Sequence, residues 1–174
     1  MLCCSERVYS TGFSTGAFHS NALACTRGDK LAGIATVAGS IGKLYGTECG
    51  EGGGVDVINF HSKDDGTVPY DGNINWHTNE EVVEIWEDRN ECELLDTPRV
   101  TFLSTTTVCE RKSCKGGNVE NCVLKGLDHC WPGGRSGGFE AVGSCKARRG
   151  DVDATAHMFA FWEERWAEKN ENGL

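Results

Sequence analysis

A serine set between two glycines, at the end of a short apolar-alternating run, is the first place where this sequence could do chemistry. The stretch reads Arg7-Val8-Tyr9-Ser10-Thr11-Gly12-Phe13-Ser14-Thr15-Gly16 and continues as Ala17-Phe18-His19-Ser20-Asn21-Ala22-Leu23-Ala24. Val8 and Tyr9 suit a strand, whereas Ala17, Ala22, Leu23 and Ala24 suit a helix. A strand that turns sharply into a helix at G-x-S-x-G holds the serine hydroxyl out beyond the strand's carboxyl end, where it can attack an electrophile. Gly12 and Gly16 leave room for the tight turn and for close helix packing. Ser14 is the candidate nucleophile, and the backbone N–H of Thr15, the next residue, is a candidate donor to an oxyanion. The alternative is a plain Gly/Ser turn, since so short a pattern also arises by chance in a chain with 23 glycines.

A serine needs a base and an acid, and the elements around it indicate where to look. Residues 31–38 read as a short buried strand after the Ser14 helix. Residues 55–60 read as another, delivered by the Gly-rich linker 50–54. Residues 79–90 form a helix, with Asn79 as its cap and Val82, Val83, Ile85 and Trp86 as its apolar stripe. Residues 100–103 and 119–124 are strand-like. Residues 153–167 close the pattern as a helix whose Ala156, Phe159, Ala160 and Trp166 can lie against a sheet. Alternating strands and helices, with no internal repeat, predict one layered α/β domain across residues 1–174.

In an open α/β sheet the reactive groups gather in loops beyond the carboxyl ends of the strands. Two loops qualify. One runs from His61 through Asp64, Asp65 and Val68 to Tyr70, and the other holds Gly126-Leu127-Asp128-His129-Cys130-Trp131-Pro132-Gly133-Gly134.

Composition narrows the setting. With 39% hydrophobic and 25% charged residues the chain is of the soluble globular type, and no run approaches the length of a membrane span. A formal net charge of -9 argues against a nucleic-acid partner; the only basic cluster, Lys146-Ala147-Arg148-Arg149, reads as a solvated loop. Ten cysteines point to an oxidising compartment and to disulfides of undetermined pairing. A zinc reading is poorer, because no C-x-x-C pair occurs and the spacings of Cys109, Cys114, Cys122 and Cys130 fit no compact knuckle. The first residues carry no secretory signal, so either a signal lies upstream or the cysteines stay reduced.

Taken together, Gly12-Phe13-Ser14-Thr15-Gly16, the loop from His61 with its D-x-x-V-P-Y ending at Tyr70, the Gly126 to Gly134 loop, and Asp153-Ala154-Thr155 resemble the poly(3-hydroxybutyrate) depolymerase and feruloyl esterase-like family. The resemblance spans residues 6–166 and implies an α/β-hydrolase fold: a mostly parallel sheet with flanking helices, here lacking the family's N-terminal strands. It further implies a secreted serine esterase with Ser14 as nucleophile, Asp65 as acid and His129 as base. Asp64 and Asp128 are the fallback acids, and His61 shapes the acid loop. His19, His77 and His157 are expected to be structural.

The expected substrate is a small or polymeric carboxylic ester, with Phe13, Tyr70 and Trp131 placed to pack against its acyl group. No metal, cofactor, nucleic acid or membrane is called for. Without the family's first strands, the strand carrying Ser14 is expected to present an open edge through which the chain could associate, and the second oxyanion donor is missing. A serine peptidase of the same fold and a non-catalytic, disulfide-stabilised binding module are the competing readings.

Overall fold

The Ser14 run does form a strand that breaks into a helix. A computed structural model of the chain describes residues 7–43, 54–93, 97–134 and 151–171. In chain order these give β1 (Tyr9–Phe13), α1 (Thr15–Arg27), a 3-10 turn (Gly28–Lys30), β2 (Gly33–Val37), β3 (Asp56–Ser62), α2 (Asn79–Arg89), β4 (Arg99–Leu103), β5 (Thr107–Lys112), β6 (Val119–Leu124) and α3 (Ala154–Glu171). The strands make one six-stranded sheet in the order β1-β2-β3-β6-β5-β4. β1, β2, β3 and β6 run parallel, and the β4–β5 hairpin joins β6 antiparallel. The architecture is therefore mixed α/β with a mostly parallel sheet and flanking helices.

Side-chain alternation along the strands builds a core on each face of the sheet. On one face Ala35, Val37, Ile58, Phe60, Cys122 and Leu124 pack with Met158, Phe161 and Trp162 of α3. On the other, Ile34, Val57 and Val119 pack with Ala24 of α1 and with Val82 and Trp86 of α2. β2 and β3 are buried along their whole lengths, as expected of parallel strands covered on both sides.

Two helices differ in detail from the sequence reading. Asn79 does not cap α2. Thr78 does, its hydroxyl accepting from the Glu81 N–H while the Glu81 carboxylate accepts from the Thr78 N–H. Asn79 instead turns inward, accepting from Asn59 Nδ2 at 2.7 Å. In α3 the buried residues are Ala154, Met158, Phe161 and Trp162, whereas Ala156, Phe159 and Ala160 are exposed and Trp166 is half-buried. The tight stack of Trp162 on Tyr9 of β1, with ring centroids 4.5 Å apart, fixes that face. β5 had no sequence expectation.

β1 stands at one end of the strand order. Its bonds to β2 include the Ser14 N–H donating to Val37 O and Val8 O accepting from the Ala32 N–H. The alternation of a parallel ladder then points the backbone groups of Tyr9, Thr11 and Phe13 away from β2, where no described strand meets them.

Cys92–Cys114 and Cys109–Cys122 are disulfides, and Cys25 and Cys130 are disulfide-bonded as well. Among the described residues no helix is long and apolar enough to cross a membrane. Residues 50–53 of the Gly-rich linker, the Lys146 to Arg149 cluster, and Cys3, Cys4, Cys49 and Cys145 lie outside the described residues.

Candidate active site

Ser14 sits in the hinge between β1 and α1 with φ 54° and ψ -119°, a backbone conformation that a non-glycine residue adopts only at a cost. The turn is so tight that a Cβ on Gly12 would lie 2.2 Å from the Gly16 carbonyl carbon. A Cβ on Gly16 would meet nothing within 4 Å. The close approach thus requires glycine at position 12 and not at position 16, where the sequence had suggested both. Thr15 opens α1, so its N–H is among the first-turn donors that the helix itself leaves unpaired, at the positive end of the helix dipole.

The candidate acid and base come from the loops after β3 and β6, at the same carboxyl end of the sheet. His129 Nδ1 lies 2.8 Å from Asp65 Oδ2, and both side chains are buried. The other carboxylate oxygen, Asp65 Oδ1, accepts from the Thr67 and Val68 N–H groups, each at 2.8 Å. Burial pushes the Asp65 carboxyl up. Hydrogen bonds from His129 and His61 and from the Val68 and Thr67 amides outweigh that effect and hold it below the ordinary carboxylate range. An ionised Asp65 requires the proton on His129 Nδ1, which leaves Nε2 as the basic nitrogen.

The two other acidic residues of these loops have a different role. Asp64 Oδ1 accepts from the Gly126 N–H at 2.7 Å and from the Ser62 hydroxyl at 2.9 Å, and its Oδ2 accepts from the Asp128 N–H. Asp128, itself at φ 58°, accepts from the Gly66 and His129 N–H groups. Asp64 and Asp128 therefore lash the acid loop to the base loop while Asp65 alone meets the imidazole. His61 closes the acid loop from behind, its Nε2 donating to Val68 O at 2.9 Å and standing 3.6 Å from Asp65 Oδ2.

The aromatic candidates separate. Phe13, the residue before Ser14, packs against the His129 ring with centroids 4.7 Å apart, which brings the base back across the sheet end toward the serine hinge. Trp131 is half-buried and donates through Nε1 to the Thr155 hydroxyl at 3.1 Å, tying the base loop to the start of α3. Tyr70 is only 6% exposed; its ring meets His61 edge-on, and its hydroxyl accepts from Asn79 Nδ2. It braces the acid loop against α2 and offers an acyl group almost no surface.

Sequence reasoning missed a polar chain behind these loops. Thr36 donates to Asn59 Oδ1, and Asn59 Nδ2 donates to both Asn79 and Asn121. Asn79 then reaches the Tyr70 hydroxyl, so buried amides connect three parallel strands to the acid loop. The signal available was an asparagine at the centre of the apolar run Val55-Asp56-Val57-Ile58-Asn59-Phe60. A buried amide there must be matched by other polar groups.

Of the other histidines, His157 bonds Glu120 and His77 bonds Glu81, while His19 is exposed. No protein-family model and no curated protein matches the chain, so its chemistry has to be argued from these residues.

Proposed function

We propose that the chain is a serine esterase of the α/β-hydrolase type, cleaving carboxylic esters by acyl transfer through Ser14, His129 and Asp65. The observation that carries this reading is the buried 2.8 Å contact of His129 Nδ1 with Asp65, at the same sheet end as a serine in a strained strand-to-helix hinge. The contact of Phe13 with His129 supports it, since it ties the base to the residue preceding the nucleophile.

In this mechanism His129 Nε2 removes the Ser14 hydroxyl proton as the oxygen attacks the ester carbonyl, and Asp65 stabilises the imidazolium that forms. The Thr15 N–H receives the oxyanion. Collapse of the tetrahedral adduct expels the alcohol, which takes its proton from His129. Water, activated by the same imidazole, then releases the acid from Ser14. Phe13 and Trp131 offer apolar surface beside the base for an acyl group of the hydroxyalkanoate or feruloyl type.

Among the described residues the Thr15 N–H is the donor so placed, and an oxyanion hole ordinarily has two. Loss of a single donor typically costs about 100- to 1000-fold in turnover. Among the described residues no strand meets the outer side of β1, which leaves room there for a further strand and a second donor. A hole limited to the Thr15 donor would turn over slowly. Its disulfides fit an extracellular setting.

The test is hydrolysis of a feruloyl ester, a hydroxybutyrate oligomer and a matched amide by the wild-type chain and by Ser14→Ala and His129→Ala. Ester cleavage that both variants lose supports the reading. Preferential amide cleavage would make the chain a peptidase. A folded chain with no hydrolysis that the two variants alter would contradict catalysis by this site.

A further inference from the structure

A second cluster of chemically capable side chains lies away from the serine, under α3. The register of β5 and β6 sets Cys109 opposite Cys122 and Arg111 opposite Glu120. Residues two apart in a strand share a face, so both cysteines, Glu120 and Arg111 point the same way. His157 descends on them from α3. One donor atom from each of Cys109, Cys122, Glu120 and His157 falls within 4.8 Å of all the others. Cys109, Cys122 and Glu120 are fully buried.

We infer that this cluster is a redox-gated binding site for a zinc-type divalent cation, closed while Cys109 and Cys122 form a disulfide and opened when that bond is reduced. Two thiolates, an imidazole and a carboxylate are a tetrahedral zinc donor set. Around such an ion the donor atoms stand about 3.3 to 3.8 Å apart, so the two sulfurs must separate, Glu120 Oε1 and His157 Nε2 must move apart from 2.6 Å, and the two pairs must then close on each other.

The surroundings are already those of a metal site. Glu120 Oε1 faces His157 Nε2 at 2.6 Å, and the proton between them lies where a cation would bridge the same two atoms. Glu120 Oε2 accepts from Arg111 Nε and Oε1 also accepts from the Thr101 hydroxyl at 2.6 Å, so a carboxylate ligating through Oε1 keeps Arg111 on the other oxygen and leaves Thr101 as a neighbour of the ligating one. The His157 ring is held edge-on by Phe60 and by Phe102, each with centroids 6.0 Å away.

Charge balances in both states. With the disulfide formed, Glu120 is matched by Arg111. With the metal bound, two thiolates and Glu120 are matched by the dication and Arg111, so neither state strands a buried charge. His157 is half-buried and gives the ion a path from solvent.

Opening takes two electrons and two protons from a thiol reductant, which leaves as its own disulfide and yields the two cysteine thiols. Binding then displaces both thiol protons to water. The imidazole proton moves from Nε2 to Nδ1, freeing the Nε2 lone pair for the metal.

The experiment is a Co2+ titration of the full chain, oxidised and then reduced by a phosphine, followed by visible absorption with circular dichroism recorded alongside. The reduced chain is expected to bind one equivalent with the bands of a tetrahedral, thiolate-ligated ion, and the oxidised chain to show none. The bands should survive Cys92→Ser with Cys114→Ser and disappear in Cys109→Ser with Cys122→Ser. His157→Gln, which leaves every cysteine in place, should weaken binding by about 10-fold or more. A reduced chain that keeps its fold without developing the bands would overturn the inference. So would bands that persist without Cys109 and Cys122, or an affinity indifferent to His157→Gln.

Discussion

Three aspartates within two loops look interchangeable in sequence and are not. Asp65 meets His129, whereas Asp64 and Asp128 hold backbone amides that join the two loops. Asp65→Asn is expected to lower kcat by about 10^4-fold with little change in fold, because the amide leaves the imidazole without its partner charge and in the wrong tautomer. Asp64→Asn should act mainly on stability, costing about 1 kcal/mol through its amide contacts, with kcat reduced far less. Steady-state ester kinetics paired with urea unfolding separate the two effects. Equal losses of kcat would contradict the division of roles.

The ionisation of Asp65 adds a pH signature. Its carboxyl is held below its ordinary value of 3.8 in the folded chain. The stability it contributes is therefore complete above the unfolded value and is lost as pH falls through the lower folded value. Wild type should lose unfolding free energy between neutral pH and the region below 3.8 more steeply than Asp65→Asn does. Urea unfolding at several acid pH values checks this, and parallel curves would contradict it.

At the scale of elements, the hinge from β1 to α1 concentrates the constraint on one glycine. Gly12→Ala should destabilise the chain, because its Cβ would fall against the Gly16 backbone, whereas Gly16→Ala meets open space and should fold normally. Thermal unfolding of the two variants decides it, and similar midpoints would contradict the packing of the hinge.

The strands of the sheet's centre were largely legible because β2 and β3 are short, mostly apolar runs and β6 keeps Val119, Cys122, Val123 and Leu124 around its two polar residues, each ending at a loop rich in turn residues. β5 was not. Its sequence Thr107-Val108-Cys109-Glu110-Arg111-Lys112 has no apolar alternation and ends in three consecutive charged residues, and its inward Arg111 is buried only because Glu120 and Glu164 receive it. The face of α3 was misread for a related reason. Phe159, Phe161, Trp162 and Trp166 supply aromatic residues around much of the helix, so periodicity alone could not set its rotation, and the long-range stack on Tyr9 does. Asn79 read as a cap because local propensity favours it there, but the demand of buried Asn59 for a partner placed it inside.

At the scale of the molecule, the sheet gathers its chemistry at one end and leaves one side of β1 unpaired among the described residues. The loops that hold Ser14, Asp65 and His129 were legible because each follows a parallel strand, where an open α/β sheet places its reactive groups. The mutual lashing of those loops by Asp64 and Asp128 could not be foreseen, since it joins residues some sixty positions apart through backbone amides.

Whether this arrangement is catalytic turns on an activated hydroxyl at Ser14, and a fluorophosphonate probe captures that hydroxyl covalently without any assumption about the natural ester. Labelling of the folded chain, mapped to the peptide containing Ser14 and abolished by His129→Ala, is the result the proposed triad predicts. A folded, soluble chain that remains unlabelled, or that is labelled equally without His129, would contradict it.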